Sequence, residues 1–270
     1  MTRYVRFCTA DDARPRWGVR RAEGVGALSA APWAGPRDTG LVVPAAAVRL
    51  LAPAEPTKIV ALAYNYKSLF GDPAALARKG EPHYTDAGFE PLLFLKAPSC
   101  LTSTDTAVAI PDGAEVWVEV EVAAVIGRRA RNLRDTAAAR EVVAGLTLGN
   151  DMTALNIMGR DWHLARSKSL DGFCPLGPEL VVGFDDGDCH LGTRISGRTT
   201  QDGRTSDRLL DSYASVVLAS RMMTLEPGDV VLTGTPAGAR QSIVVPGDRV
   251  EMTIEGLGTL NNSIEREAHV

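Results

Sequence analysis

No apolar run in this 270-residue sequence reaches the roughly 18 residues that crossing a bilayer takes, and the N-terminus MTRYVRFCTADDARPRW lacks the apolar core of a signal peptide. A cytoplasmic protein is therefore expected. Charge of one sign is not in surplus either. The formal net charge is -4, with 45% apolar and 23% charged residues, and this ordinary balance gives no electrostatic reason to expect nucleic acid or an anionic membrane as partner. The one basic run, Arg128, Arg129, Arg131 and Arg134, is short and follows a strand-like segment, so a solvated loop is expected there in preference to an anion site. Cysteine is scarce. Cys8, Cys100, Cys174 and Cys189 include no CxxC pair, which reads as reduced, mostly buried thiols and argues against a structural zinc. His83, His163, His190 and His269 form no HExxH or paired-ligand pattern.

What is present is length and strand pattern. The chain is long enough for one large domain or for a small N-terminal module joined to a larger one. Residues 1–55 alternate short apolar runs with Gly, Pro and Ala, which reads as a small β-rich module closed by a short helical stretch, PAAAVRLLAP. The main body, residues 56–270, opens on KIVALAYNY, a buried-strand pattern, and DPAALARKG, a short helix with Asp72 near its start and Gly80 past its end. Strands then dominate: PLLFLKAPS, AVAIP, VWVEVEVAAVIG, ELVVGF, DVVLTGT and SIVVPGDRVEMTIEGLGTL, parted by Gly, Pro, Asp and Asn turns. Two helices stand out, RDTAAAREVVAG with Asp135 and Thr136 as caps and Gly145 as stop, and LLDSYASVVLASRMM with Leu210, Tyr213, Val216, Val217 and Ser220 at helical spacing. Strands and helices do not alternate regularly, so a β-rich α+β fold is expected rather than a doubly wound sheet or a TIM barrel.

The segment VWVEVEVAAVIG sets two acids into an apolar strand. Alternation points Val116, Val118, Val120 and Val122 one way and Trp117, Glu119, Glu121 and Ala123 the other, with the two glutamate stems about 7 Å apart on one face. The commoner explanation of such alternation is a wet strand face. The alternative is convergence on a cation. Asp151, in GLTLGNDMTALN, is the next acid in apolar surroundings, and three carboxylates with waters or substrate oxygens complete the six-oxygen shell of Mg²⁺ or Mn²⁺. Asp151 as a plain cap for the following segment is the rival explanation. In ARSKSLDGFCPLGPELV, Lys168 precedes an apolar turn and is a candidate to hold a substrate carboxylate or an enolate oxygen, against the default of a surface lysine. In VVLTGTPAGAR the strand ends at Thr233, Gly234, Thr235 and Pro236, where backbone N–H groups and a hydroxyl can meet an anionic oxygen. No Gly-Lys-Ser/Thr follows, so this is not a P-loop, and an ordinary tight turn is the default.

Taken in order, PLLFLKAPS, VEVEVAAVIGRRARN, NDMTALN, RSKSLDGFCPLGP, TQDGRTSD, LEPGDVVLTGTPAGA and PGDRVEMTIEGLGTLNN resemble the core domain of the fumarylacetoacetate hydrolase family, over about residues 56–265. The resemblance implies a mixed β-sheet core of β-sandwich-roll type, a homodimer, and an enzyme acting on a small 2-oxo acid or dicarbonyl compound. It implies that Glu119, Glu121 and Asp151 hold Mg²⁺ or Mn²⁺, that Lys168 contacts the bound oxo acid, and that Thr235 reaches the substrate. Gly234 beside it, Tyr66 and Lys96 complete the substrate-binding candidates. A chelating 2-oxo acid held by such a metal has its carbonyl polarised and its enolate stabilised, which serves C–C hydrolysis, decarboxylation, lyase and cyclase chemistry and isomerisation alike.

Two departures bear on the choice among these. Hydrolysing members of the family carry a histidine in N-Y-x-x-H, taken to activate water with a glutamate close behind. The matching stretch here is NYKSLFGD, with Leu69 in that place. Asp72 and Lys67 are nearby substitutes, although a lysine base needs a strongly lowered pKa. His83 is expected at the surface. After the metal aspartate, Leu155, Asn156 and Met158 replace an expected arginine, aspartate and glutamine, so a more apolar pocket is expected, and Arg240 stands where a small residue usually closes the T-G-T-P pattern. C–C hydrolysis is the first expectation. An isomerase, decarboxylase, lyase or cyclase that needs no activated water is the second. A non-catalytic ligand-binding relative is the third, and would be expected to have lost the acid trio.

Overall fold

Runs of Val, Ile and Leu broken by Gly, Pro and Asp turns favour pleated, buried strands. The computed structural model describes residues 1–72, 76, 77, 79, 83–158, 161 and 163–268, with the backbone alone for Asn156 and Met158. His269 and most of the expected helix DPAALARKG, Gly80 included, lie outside the described residues. Among the described residues the strands form three sheets. The largest, of 12 strands, runs Asp38–Pro44, Gly24–Leu28, Arg16–Arg21, Thr2–Cys8, Cys174–Val182, Val143–Asn150, Val120–Ile126, Val230–Leu232, Ile59–Ala63 and Leu92–Lys96, with Arg49–Leu51 and Leu101–Ser103 attached to its side. A five-stranded sheet orders Arg198–Arg204, His190–Ile195, Arg249–Ile254, Gly258–Arg266 and Thr106–Ile110. The sheets are mixed: Val230–Leu232 runs parallel to Ile59–Ala63, and Gly258–Arg266 parallel to Thr106–Ile110.

The N-terminal strands continue the large sheet. Thr2 pairs with Val182 and Tyr4 with Leu180, and Arg3 and Arg20 both reach Glu179, at 2.9 and 2.8 Å. These strands keep a small core of their own, Val5, Phe7, Val25, Ala27 and Val43. The main core lies between the two larger sheets and includes Val122, Leu148 and Leu176 from one and Leu191, Met252 and Leu260 from the other. Each such side chain contributes roughly 1.5–3 kcal/mol by leaving water.

Two local expectations are corrected. PAAAVRLLAP makes only a 3₁₀ turn at Ala45–Ala47, because Arg49–Leu51 is drawn into the sheet beside Thr2–Cys8. The helix begun by Asp135, whose carboxylate accepts from Ala138 N at 2.8 Å, ends at Val142 and not at Gly145. Val143–Asn150 is already a strand, and Gly145 is there for close approach: a Cβ would stand 2.9 Å from Val181 O. The second helix forms over Ser212–Met222 with Asp211 accepting from Ala214 N at 2.7 Å. No helix of the described residues is long and apolar enough to cross a membrane. All four cysteines are free and buried. The basic run turns to its own surroundings: Arg128 reaches Glu141 O, Arg131 the Ser220 and Arg221 carbonyls, Arg129 pairs with Glu226 and Arg134 with Asp135.

Candidate active site

The wet-face explanation of the two glutamates does not hold. Glu119 is 9% exposed and Glu121 1%, and the valines around them are fully buried. The segment is also not one strand. Val116–Trp117 belongs to the three-stranded sheet with Thr153–Ala154 and Ile243–Val244, Val120–Ile126 belongs to the large sheet, and the chain breaks between them at Val118 and Glu119. Side chains take over the backbone bonding at the break. Glu119 N donates to Asn150 Oδ1 at 3.1 Å and Val120 N to Gln201 Oε1 at 3.1 Å, while Asp151 N donates to Glu119 O at 3.0 Å. This exchange brings Asp151, which follows the end of the strand Val143–Asn150, alongside the glutamates.

Two buried lysines complete the cluster. Lys168 Nζ stands 2.5 Å from both Glu119 Oε2 and Asp151 Oδ2. Lys96 Nζ stands 2.5 Å from Asp151 Oδ1 and donates also to Phe173 O at 2.9 Å. Thr153 Oγ1 donates to Glu119 Oε2 at 3.1 Å, and Gly234 N donates to Glu121 Oε2 at 2.7 Å. The turn after Val230–Leu232 thus does meet an anionic oxygen, and that oxygen belongs to Glu121. Gly234 takes φ +87°, and a Cβ there would stand 3.0 Å from the Asn65 Cβ, so glycine is required.

Burial pushes the Glu121 carboxyl well above the usual carboxylate range, and the charges of Asp151 and Glu119 push the same way. Glu119 is raised by burial too, with Lys168 opposing. Asp151 is penalised by burial, yet Lys168 and Lys96 together bring it below its ordinary value. Burial favours the neutral form of Lys168, but Asp151 and Glu119 outweigh it and hold the ammonium protonated.

The donor chemistry fits a hard divalent ion. Three buried carboxylates face two ammoniums, which leaves the cluster room for further positive charge. As the side chains stand, no three His, Cys, Asp or Glu among the described residues are arranged to hold a metal ion; the cation between two of the acids is Lys168.

The remaining candidates are placed as follows. Thr235 Oγ1 donates to Val120 O at 2.9 Å and accepts from Gln201 Nε2 at 2.8 Å, so its hydroxyl braces the strand that carries Glu121. Tyr66 is fully buried and its hydroxyl has no partner among the described residues; burial pushes its phenol up, Arg208 opposes and Glu121 adds to the rise. Leu69 is 37% exposed on the 3₁₀ turn Lys67–Leu69, which docks on the Gly234 turn through Ala237 N donating to Ser68 Oγ at 3.3 Å. His83 corrects an expectation. It is buried, with ring contacts to Phe70 at 5.6 Å and Tyr84 at 4.2 Å and Nδ1 2.7 Å from Thr85 Oγ1, because the aromatic cluster around Phe70 covers it. His163 and His190 are exposed, as is Arg240. Two surface clefts of about 470 and 430 Å³ lie against the five-stranded sheet, and neither is lined by a member of the acid trio.

Asn150, Thr153 and Gln201 were not singled out by sequence, although all three hold the break or its acids in place. A polar residue buried to serve a backbone group has no periodic signature. Lys96 did carry one: it falls in phase with buried Phe94 along Leu92–Lys96.

Residues 58–265 match the family model described as fumarylacetoacetate (FAA) hydrolase C-terminal, and residues 2–53 match one described as Rv2993c-like, N-terminal. Protein Rv2993c of Mycobacterium tuberculosis is 38% identical over 240 residues, 87% of this chain and 86% of its own length. The human mitochondrial protein named oxaloacetate tautomerase FAHD2A is 33% identical over 240 residues, 83% of this chain and 71% of its own. A solved structure described as 5-carboxymethyl-2-hydroxymuconate delta-isomerase from Mycobacterium smegmatis superposes with a TM-score of 0.86 at 34% identity, covering 98% of this chain and 100% of that one.

Proposed function

We propose, the chain being a member of the fumarylacetoacetate hydrolase family, that it is a divalent-metal-dependent enzyme that takes a small 2-oxo acid through an enolate and returns it isomerised rather than cleaved. The observation that carries the choice of isomerisation is Leu69. An aliphatic side chain stands at the site's margin, on the turn docked against Gly234 to Ala237, where water-splitting relatives are expected to place their base. Names given to the human and M. smegmatis relatives, a tautomerase and an isomerase, support the same reaction class.

Glu119, Glu121 and Asp151 are the residues that would hold the ion. When bound, it supplies positive charge against the carbonyl and carboxylate oxygens of a chelating oxo acid, favouring the enolate form. The chain's own groups do the rest. Gly234 N fixes one oxygen of Glu121, and Thr153 fixes one of Glu119. Lys168, held protonated by its acidic neighbours, brings a second positive group to the developing oxyanion. Lys96 keeps Asp151 ionised and oriented. Phe94, whose ring centroid is 5.1 Å from Lys168 Nζ, walls the ammonium on its apolar side.

Oxaloacetate in D₂O with Mg²⁺ tests the proposal by nuclear magnetic resonance. Enzyme-dependent deuterium exchange at C3 is expected, suppressed by chelation, without accumulation of cleavage products. Enzyme-dependent pyruvate, or oxalate with acetate, assigns the reaction to decarboxylation or hydrolysis and overturns isomerisation.

A further inference from the structure

Resting on that metal reading, we infer that Lys168 is the resident counter-ion of the acid cluster, and that metal entry displaces its ammonium from Glu119 and Asp151 toward the bound ligand. Lys168 then sets metal affinity by competition, and it reaches the ligand only after the metal has taken its place.

The two lysines of the cluster differ in what holds them. Lys96 has no exposed side-chain surface and is bound on three sides, by Asp151 Oδ1 at 2.5 Å, Phe173 O at 2.9 Å and Met152 O at 3.4 Å. It rises from Leu92–Lys96, a strand paired along its length with Ile59–Ala63. Moving it would take a donor from two carbonyls, of which Phe173 O keeps Met152 N at 3.2 Å. Among the described residues, the polar contacts that Lys168 Nζ makes are with Glu119 and Asp151. Its side chain is 9% exposed, and it ends a four-residue helical turn, Ala165–Lys168, entered through Leu164 at φ +59°. Among the described residues its release leaves no backbone group unpaired, and the two carboxylates it releases are two of the three proposed to hold the metal.

Charge supplies the driving force. An ammonium and a divalent ion cannot both sit within ligand distance of the same two carboxylates without repelling each other. Asp151 can serve both lysines because each takes a different oxygen, and with Oδ1 held by the fixed Lys96, a metal at the trio would compete with Lys168 for Oδ2. The arrangement couples the two steps: without metal the lysine neutralises the acids, and with metal it is free for an anionic ligand.

The test is calorimetric titration of the chelator-stripped full chain with Mn²⁺, then of the Mn²⁺-loaded chain with oxalate. Lys168→Met, which keeps length and loses charge, is expected to bind Mn²⁺ at least tenfold more tightly than wild type and oxalate at least tenfold more weakly. A merely structural lysine would not move the two affinities in opposite directions. Acetylation of wild type by limiting acetic anhydride, mapped by peptide mass spectrometry, needs no variant: Lys168 is expected to label faster with Mn²⁺ than without. Equal Mn²⁺ affinity in both proteins, or labelling no faster with metal, overturns the displacement and leaves the metal site standing. Mn²⁺ uptake by neither protein overturns the metal reading and the inference together.

Discussion

Lys96 Nζ stands 2.5 Å from Asp151 Oδ1, and both groups are sealed from water. Neither is tolerable there alone. Lys96→Met would leave Asp151 with one ammonium and take a donor from the Phe173 carbonyl, which keeps Met152 N at 3.2 Å. Removing one partner of a buried pair typically costs about 3–5 kcal/mol. Urea unfolding of the variant is expected to show a loss of that order, and an unchanged midpoint would mean that Asp151 is neutralised by something else.

Gly234→Ala forces a side chain into a positive-φ backbone against Asn65 and disturbs the N–H that anchors Glu121. A stability loss of roughly 1–3 kcal/mol is expected from the backbone alone. Turnover is expected to fall by more than that loss explains, because Glu121 loses its fixed orientation. Turnover of the folded fraction measured at low temperature, where the variant stays folded, separates the two effects; wild-type rates there would show that the Gly234 N–H does not position Glu121.

The acid trio was legible because carboxylates in a run of Val and Ala violate the pattern that hydrophobic burial would impose, and the strands because β-branched runs between Gly and Pro turns have few other solutions. The break at Val118 and Glu119 was not legible. Alternation carries straight through it, and only the partners Asn150 and Gln201, 31 and 81 residues away from the groups they serve, show that the chain changes sheets there. His83 was misplaced for a related reason: its burial comes from Phe70, Tyr84 and Phe89 folding over one another, a tertiary cluster with no periodicity. Gly145 showed the opposite error, since glycine after a helical pattern looks like a stop and here answers the close approach of Val181.

Leu69→His separates the two reaction classes. If the enzyme isomerises through an enolate, a new imidazole on the Lys67–Leu69 turn gives no gain in the native rate. If it hydrolyses and merely lacks an efficient base, the same substitution is expected to raise cleavage by about 10²-fold, the lower end of what a well-placed acid–base group supplies. Product analysis on the candidate oxo acid, variant against wild type, decides between them.

Asp229 offers a pH signature away from the site. Its Oδ1 accepts from Thr57 N and Thr57 Oγ1, both at 2.8 Å, its Oδ2 accepts from Glu226 N at 2.7 Å, and Lys58 pairs with it. Burial pushes the carboxyl up, but the Lys58 pairing and these donors outweigh it and hold the group below its ordinary value of 3.8. A depressed folded value means that the unfolded chain takes up the proton first. The contribution is therefore fully present above about pH 4 and is lost as pH falls through the folded value. Asp229→Asn is expected to lower stability by roughly 1–3 kcal/mol at pH 7, and the gap from wild type is expected to narrow below about pH 4. Urea midpoints at pH 7 and between pH 3 and 5 check this. Curves that stay parallel across that range would assign the stabilisation to hydrogen bonds that an amide can also make, and not to the buried charge.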